Sequence, residues 1–163
     1  GLPEKLNNMT FDKYNLPKYN SFKSDLNKID LDKTITSDNV KELFKKEKDT
    51  DIMGFKDYLG RKMFLSEKRF DLHIKGKYLN KQENRHQMFP HIKDILNKPD
   101  EVWYNTQDKL DGKFQSRYLK FYQDMIFVID CETKGKGLQI NTWYQAKKED
   151  LNLRKGLLVR NKV

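Results

Sequence analysis

Two parts of the sequence carry side chains of the types and spacing that phosphodiester chemistry requires. His73 has Arg69 and Lys77 one helical turn to either side, and neighbouring cations favour the neutral imidazole that accepts a proton near pH 7. Thr142 and Tyr144 stand two residues apart in a segment of alternating polarity, so a β-strand places their hydroxyls side by side. A base and two adjacent hydroxyl donors can move a proton and stabilise a charged phosphate.

Arginines supply the permanent positive charge that a phosphate needs. The net charge is +9, but the first 50 residues hold ten Lys against nine acidic residues, so the excess lies later, with all six arginines. Arg117 begins a predicted strand and Arg154 lies just beyond the sheet, and either guanidinium suits bidentate contact with phosphate. This set predicts RNA cleavage without metal, in which the 2′-hydroxyl loses a proton and the leaving 5′-oxygen gains one.

Each of these residues also has a purely structural interpretation. His73 can be a half-buried helix residue, and Thr142 and Tyr144 are ordinary strand formers. Trp103 and Trp143 are expected in the core rather than as platforms for bases. A solvated lysine surface is the alternative explanation of the charge.

Other chemistries lack their residues in this sequence. The three histidines form no HxxxH or HxH pair and Cys131 is the single cysteine, so we predict neither a metal site nor a disulfide framework. No nucleophile elbow, P-loop or GxGxxG turn is present, and we expect no cofactor. The longest apolar run, residues 125–129, is too short for a membrane span, so we expect a soluble chain.

The hydrophobic pattern changes from helical to strand-like in the last third of the chain. Helices are predicted from N-cap or Pro starts and three- and four-residue apolar spacing after 36–38, after Ser66, across 79–89 and from Pro90. Strands with period two are predicted at 101–104, 117–122, 125–130 and 138–144.

Alternation along the last strand is expected to place Leu138 and Ile140 on the face of the two hydroxyls, with Trp143 opposite. Helices followed by hairpins predict an α+β domain with an antiparallel sheet. We expect this domain at 56–163, and a lead-in or helical extension at 1–55 that packs on it through isolated aromatic residues.

Residues 58–162 contain a series of motifs in a distinctive order. They are Leu65-Ser66, a helix with His73, a second helix with Arg85, HIKDILNKPDEVW at 91–103, Arg117-Tyr118-x-Lys120, an apolar strand at 125–130, Thr142-Trp-Tyr144 and LRKGLLV at 153–159. In this order the region resembles the phage-associated branch of the barnase–EndoU–colicin–RelE nuclease superfamily. Such domains end phage head-morphogenesis proteins, polyvalent proteins and bacterial polymorphic toxins.

The resemblance implies a compact α+β domain in which N-terminal helices pack on a four-stranded antiparallel sheet. It also implies a metal-independent ribonuclease that yields a 2′,3′-cyclic phosphate, with tRNA as the expected substrate because many relatives attack it. The catalytic residues it implies are His73, Arg117, Thr142 and Tyr144. The phosphate-contact residues it implies are Arg85, Lys120 and Arg154.

The resemblance further implies a toxin-type context. The domain is expected to act as a monomer in the bacterial cytoplasm, delivered as the C-terminal part of a larger phage or secreted toxin protein. The expected protein partner is an acidic immunity protein or antitoxin that covers the cationic cleft.

Two other functions fit parts of the sequence. A non-catalytic basic module that binds RNA or a phage or host partner explains the charge and the aromatic residues, but it has no need of the hydroxyls of Thr142 and Tyr144 beside Arg117. An ADP-ribosyltransferase-like toxin also uses a small α+β domain. It requires a strand-borne Glu-x-Glu or Gln-x-Glu, which this sequence lacks.

RNA binding by the basic domain is expected to weaken steeply with salt. With about three to six phosphate contacts, each adding about 0.7 for a single strand, the slope of log K against log salt is roughly −2 to −4. Fluorescence anisotropy of a labelled single-stranded RNA across a salt series measures this slope. Affinity that stays constant from low to high salt would show that the basic side chains do not bind RNA through its phosphates.

Overall fold

A computed structural model describes residues 2–49, 51–74, 84–107 and 113–162. The helices in these residues are α1 (Leu2–Asn7), α2 (Tyr19–Phe22), α3 (Val40–Glu47), α4 (Glu67–Ile74), α5 (Arg85–Met88) and α6 (Ile92–Asn97). The strands are β1 (Lys48–Asp49), β2 (Ile52–Lys56), β3 (Lys62–Ser66), β4 (Glu101–Thr106), β5 (Phe114–Phe121), β6 (Ile126–Lys134), β7 (Gly137–Ala146) and β8 (Leu157–Asn161). None of these helices is long and apolar enough to cross a membrane. Lys77 and positions 79–83 of the helix predicted at 79–89 lie outside the described residues.

The described strands form one mixed sheet in the order β1-β2-β3-β7-β6-β5-β4-β8. Its centre is an antiparallel meander from β4 to β7, which contains the four strands that the sequence periodicity predicts. β8 extends the sheet beyond β4, and β3 joins at the other side by pairing parallel to β7. The α+β class is confirmed, but the expectation of a four-stranded antiparallel sheet is wrong, because β1–β3 and β8 enlarge the sheet and β3 makes it mixed.

The junction between β3 and α4 is set by a helix cap. Ser66 ends β3, and its Oγ accepts a hydrogen bond from the backbone N–H of Arg69 at 3.2 Å. This satisfies one of the unpaired donors in the first turn of α4, as the sequence predicts for an N-cap serine. The cap thereby fixes the direction in which α4 leaves the sheet and carries His73 with it.

Helices α3 to α6 cover one face of the sheet. Their buried side chains form one apolar cluster with inward residues of β2 to β7, and aromatic rings join the helices to one another. Phe44 of α3 stacks on Phe70 of α4 at 4.5 Å between ring centroids, and Phe70 meets Phe89 edge-on at 4.9 Å. Ile92 and Ile95 of α6, in the region where a helix is predicted from Pro90, are also buried in this cluster.

The first part of the chain covers the opposite face of the sheet. Tyr14 contacts Trp103 of β4 edge-on at 5.4 Å, and Tyr19 stacks on Phe121 of β5 at 5.9 Å. Phe11 is buried together with Tyr19, Trp103 and Phe121 in a second apolar cluster. The packing expected for the isolated aromatic residues is therefore present, while the division of the chain between residues 55 and 56 stays a prediction.

Arg154 holds this second layer in place. Its side chain is 0% exposed, and its Nε and Nη2 donate to the two carboxylate oxygens of Glu101 in β4 at 2.9 and 2.6 Å. Nη1 donates to the backbone carbonyl of Pro17 at 2.8 Å and to Glu149. The guanidinium also lies 4.8 Å from the ring centroid of Phe11. One buried cation thus joins the first part of the chain, β4 and the segment before β8.

Replacing Arg154 is expected to destabilise the fold strongly. Arg154→Met leaves the buried carboxylate of Glu101 without its cation, which costs about 3–5 kcal/mol when one partner of a buried pair is removed. The matched control is Lys120→Met at the partly exposed pair with Asp100, which should cost less than about 1 kcal/mol. Urea unfolding monitored by tryptophan fluorescence measures both, and equal losses would contradict the structural role of Arg154.

Candidate active site

A cleft of about 720 Å³ opens where one end of the meander meets α4 and α5. Strands β5, β6 and β7 supply its floor and the two helices supply one wall. Its lining is Arg69, Leu72, His73, Arg85, Gln107, Lys113, Gln115, Arg117, Asp130, Glu132, Asn141, Thr142 and Tyr144. Four cations and two carboxylates in this lining, leaving His73 aside, give a net charge of +2, which favours an anionic ligand.

A β-bulge in β7 decides which side chains face the cleft. Asp130 of β6 pairs with Thr142 and the next residue, Cys131, pairs with Ile140, so one residue of β7 is left over between them. Such an insertion reverses the alternation of side chains beyond it. As a result Ile140 and Trp143 both belong to the helix-covered core, whereas Thr142 lines the cleft.

This bulge corrects one expectation about the strand. Strict alternation predicts Leu138 and Ile140 on the same face as Thr142 and Tyr144, but both apolar residues are buried in the core beneath the helices. Tyr144 instead packs against the second cluster, on the other face of the sheet, and its side chain lines the cleft with Thr142. Thr142 and Tyr144 both line the cleft as expected, but the bulge changes which other residues of β7 share their face.

The contacts that orient His73 at the end of α4 include a hydrogen bond and a ring stack. Its Nδ1 lies 2.8 Å from the carbonyl oxygen of Arg69, and since a carbonyl only accepts, Nδ1 carries the proton and Nε2 is the unprotonated nitrogen of the neutral ring. The imidazole stacks on the indole of Trp143, with 4.9 Å between ring centroids and 24° between planes. His73 is only 4% exposed but contributes to the cleft lining.

Arg85 bridges the helices and the strand. β3 pairs with β7 only at Leu138 and Gln139, and beyond that point α4 and α5 contact β7. Arg85 Nη1 donates to Thr142 Oγ1 at 3.0 Å, and the backbone carbonyl of Arg85 accepts from Trp143 Nε1 at 2.9 Å. These two bonds fix the buried guanidinium beside the hydroxyl in the wall of the cleft.

Arg117 lies in the cleft floor but is engaged by protein groups. Its Nε and Nη2 donate to the carboxylate of Asp130 at 2.9 and 3.3 Å. Nη1 donates to the backbone carbonyls of Asn152 and Leu153 at 2.9 and 2.8 Å. This pairing occupies the fork that a phosphate clamp would use, so the geometry indicates a structural role for Arg117 at the floor.

Tyr144 presents a phenol that remains protonated at neutral pH. Burial first, and then the nearby carboxylate of Asp130, raise the pKa of the Tyr144 hydroxyl far above its ordinary value, while Arg117 opposes the shift. A neutral phenol donates a hydrogen bond without first losing its proton. Tyr144 is therefore suited to donate to an anionic oxygen and unsuited to act as a base.

Two residues expected to contact phosphate do not reach the cleft. The prediction for Arg154 is wrong in this structure, because its guanidinium is fully buried between Glu101 and Glu149. Lys120 lies near the far end of β5, where its Nζ contacts Asp100 at 3.1 Å, and it is not part of the cleft lining.

Several residues of the cleft were not among the predicted site residues. Arg69 stands one helical turn before His73, and this spacing was a usable signal for a second cation at the site. Gln115 precedes Arg117 by two positions, so strand alternation places both in the floor. Asn141 and Lys113 had no such signal, because one depends on the bulge and the other on the end of β5.

In the described part of the chain, no three His, Cys, Asp or Glu side chains converge in a way that could hold a metal ion. The titratable groups of the cleft are instead a histidine, arginines, a lysine, a phenol and two carboxylates, one of which is paired with Arg117. This set can accept a proton, donate hydrogen bonds and bind a phosphate.

The fold and the cleft define a basic α+β domain whose site suits a polyanion. The family model described as phage-Barnase-EndoU-ColicinE5/D-RelE like nuclease 2 matches residues 39–159, and the chain belongs to this family. The resemblance seen in residues 58–162 is thereby confirmed at the level of the superfamily. No curated protein and no solved structure matches the chain. Membership assigns the domain to phage-associated nucleases, which act on nucleic acid.

The hydroxyl of Tyr144 is expected to stay protonated at a pH where an exposed tyrosine ionises, which is about 10. Because its pKa is raised in the folded state, its contribution to stability is complete below the unfolded pKa and is lost as the pH rises beyond it. Ultraviolet difference absorption of tyrosinate should therefore give the same titration below about pH 10.5 for wild type and Tyr144→Phe when folded. In denaturant the variant should titrate one tyrosine fewer. A folded wild type that already titrates one more tyrosine than the variant would contradict the assignment.

Proposed function

We propose that this nuclease domain is a metal-independent endoribonuclease that cleaves RNA by attack of a 2′-hydroxyl and leaves a 2′,3′-cyclic phosphate. The observation that supports this proposal is the meeting of His73, Arg85, Thr142 and Tyr144 at one cationic cleft. A nucleophile carried by RNA itself needs a base and charge stabilisation from the protein.

His73 is the proposed general base. Its bond to the Arg69 carbonyl keeps the proton on Nδ1, so Nε2 can take the proton of the 2′-hydroxyl. The 2′-oxygen then bonds to phosphorus and the bond from phosphorus to the 5′-oxygen breaks. The leaving oxygen takes up a proton from solvent, and the His73 imidazolium returns its proton to solvent. The Trp143 ring limits rotation of the imidazole during this transfer.

Arg85 and the two hydroxyls are the proposed stabilisers of the phosphorane. Thr142 Oγ1 accepts from Arg85, so its own hydrogen points elsewhere and can be donated to a phosphate oxygen. Tyr144 donates its hydrogen from the floor. Arg69 adds positive charge one helical turn from the base, and we assign Arg117 to holding Asp130 and the floor rather than to phosphate.

The proposed substrate is tRNA, because that is the RNA the superfamily resemblance implies. The same resemblance supports an acidic immunity protein or antitoxin as the partner, action of a monomer in the bacterial cytoplasm, and delivery as the C-terminal part of a larger phage or toxin protein. A cleft with net charge +2 is compatible with an acidic partner that covers it.

One observation favours the alternative of a non-catalytic RNA-binding module. His73 is only 4% exposed, which restricts the access of a substrate 2′-hydroxyl to its imidazole. Binding without cleavage by the folded wild-type protein would select this alternative.

The proposed reaction is tested by its products and by chelation. Purified wild-type protein incubated with tRNA in EDTA should yield discrete fragments with 2′,3′-cyclic phosphate ends, because the 2′-hydroxyl is the nucleophile. An equivalent oligonucleotide with 2′-deoxy sugars should not be cut. Activity that disappears in EDTA and returns with Zn²⁺ or Mg²⁺ would refute metal independence.

The site assignment is tested by three substitutions. His73→Ala should lower the cleavage rate about 10²- to 10⁴-fold as loss of a general base. Thr142→Val and Tyr144→Phe each remove one hydroxyl at nearly constant volume and should lower it about 10- to 1000-fold, with strong non-additivity.

The matched controls are His91→Ala and Tyr122→Phe, which change the same residue types outside the cleft and should keep the wild-type rate. Melting temperature and cleavage are measured on the same preparations. A Thr142→Val, Tyr144→Phe double variant that is stable and fully active would overturn the site but not the family.

A further inference from the structure

A second pocket, of about 580 Å³, lies at the same end of the sheet as the cleft. Its apolar part is a pair of stacked rings, Tyr104 of β4 and Phe114 of β5, with 5.1 Å between centroids and 7° between planes. The rest of its lining is polar, with Lys113, Glu132, Thr133 and Lys134.

Phe114 is more exposed than its packing in the β4–β5 hairpin requires. Tyr104 pairs with Ser116 and Thr106 pairs with Phe114, so the two rings are diagonal neighbours across β4 and β5, and this contact by itself stabilises the hairpin. Yet Phe114 remains 37% exposed beside two lysines. A flat ring at the surface with cations next to it is what a nucleobase and its phosphates require, since bases stack on aromatic side chains regardless of sequence.

The pocket adjoins the cleft near the start of β5, where the two share lining residues. Phe114 and its neighbour Gln115 point to opposite faces of β5, the first into the pocket and the second into the cleft. Lys113 and Glu132 line both. A flexible single strand that leaves the cleft along Lys113 therefore meets the Phe114 ring next, whereas a rigid duplex cannot turn around the sheet end.

We propose that this pocket is a base-stacking subsite for a nucleotide outside the scissile bond, in which a nucleobase stacks on Phe114 and its flanking phosphates contact Lys113 and Lys134. The inference rests on the proposed function, because it assigns the substrate of that site to single-stranded RNA extending beyond the cleaved dinucleotide. Glu132 excludes phosphate from its own side of the pocket and so directs the strand along the lysines.

Binding of an uncleavable RNA tests the subsite independently of catalysis. The probe is a fluorescent single-stranded oligonucleotide with 2′-O-methyl sugars throughout, in a series in which one position at a time is abasic. Wild type should lose affinity about 5- to 100-fold when the stacked base is missing. Phe114→Leu keeps an apolar side chain but loses the ring, so it should lose affinity by a similar factor and become insensitive to that abasic position.

The control Leu59→Ala removes an exposed apolar side chain that lines neither the pocket nor the cleft and should behave as wild type. Lys134→Gln should reduce the salt slope of binding by about 0.7, the contribution of one phosphate. Phe114→Leu with wild-type affinity and wild-type sensitivity at every abasic position would overturn the subsite, as would a wild type that does not bind the probe.

Failure of the proposed function is separately visible in the same preparations. A wild type that binds the probe through Phe114 but leaves natural RNA intact would retain the subsite and refute the ribonuclease. If the wild type cleaves RNA but Phe114→Leu has no effect on affinity, the ribonuclease proposal is retained and the subsite is refuted.

Discussion

The cleft depends on one surplus residue in β7. Without the bulge opposite Asp130 and Cys131, Thr142 would turn into the core with Ile140, and Trp143 would leave the helices. With it, Trp143 supports both the His73 ring and the Arg85 backbone from below, while Thr142 reaches the Arg85 guanidinium. The bulge therefore brings together His73, Arg85 and Thr142, which come from two helices and one strand and are far apart in sequence.

Arginines in this lysine-rich domain serve the fold more often than the surface. Arg61, Arg117 and Arg154 each bind a buried carboxylate of the same domain, and the guanidiniums of Arg117 and Arg154 contact both of its oxygens. Arg69 and Arg85 line the cleft from the helices. Arginine is much scarcer than lysine in this chain, and most of the contacts described for its six residues are internal.

The sequence was sufficient for the parts of the molecule that local pattern determines. Period-two alternation located the meander, Ser66 located the start of α4, and the spacing of His73 and the hydroxyl pair brought three predicted residues to one cleft. It was insufficient where distant segments decide the outcome. The parallel pairing of β3 with β7 joins residues more than seventy positions apart, and the partners of Arg154 come from three separate segments.

The bulge could not be predicted for a related reason. A surplus residue in a strand leaves no mark on composition, and its presence is decided by whether Ile140 and Trp143 both fit beneath the helices. The distinction between Arg117 and Arg85 is of the same kind. Both are buried arginines near hydroxyls. Arg117 is held at the floor because Asp130 on the adjacent strand binds it, whereas Arg85 in the wall contacts Thr142.

Cys131 gives this arrangement an internal reporter. The thiol is fully buried beside the bulge, and burial raises its pKa, so a thiol reagent cannot react with it while β6 and β7 remain paired. Labelling under native conditions therefore proceeds only through molecules in which this part of the sheet has opened. The rate of labelling therefore measures how often the strand pair that carries the cleft opens. A ligand bound in the cleft should lower this rate.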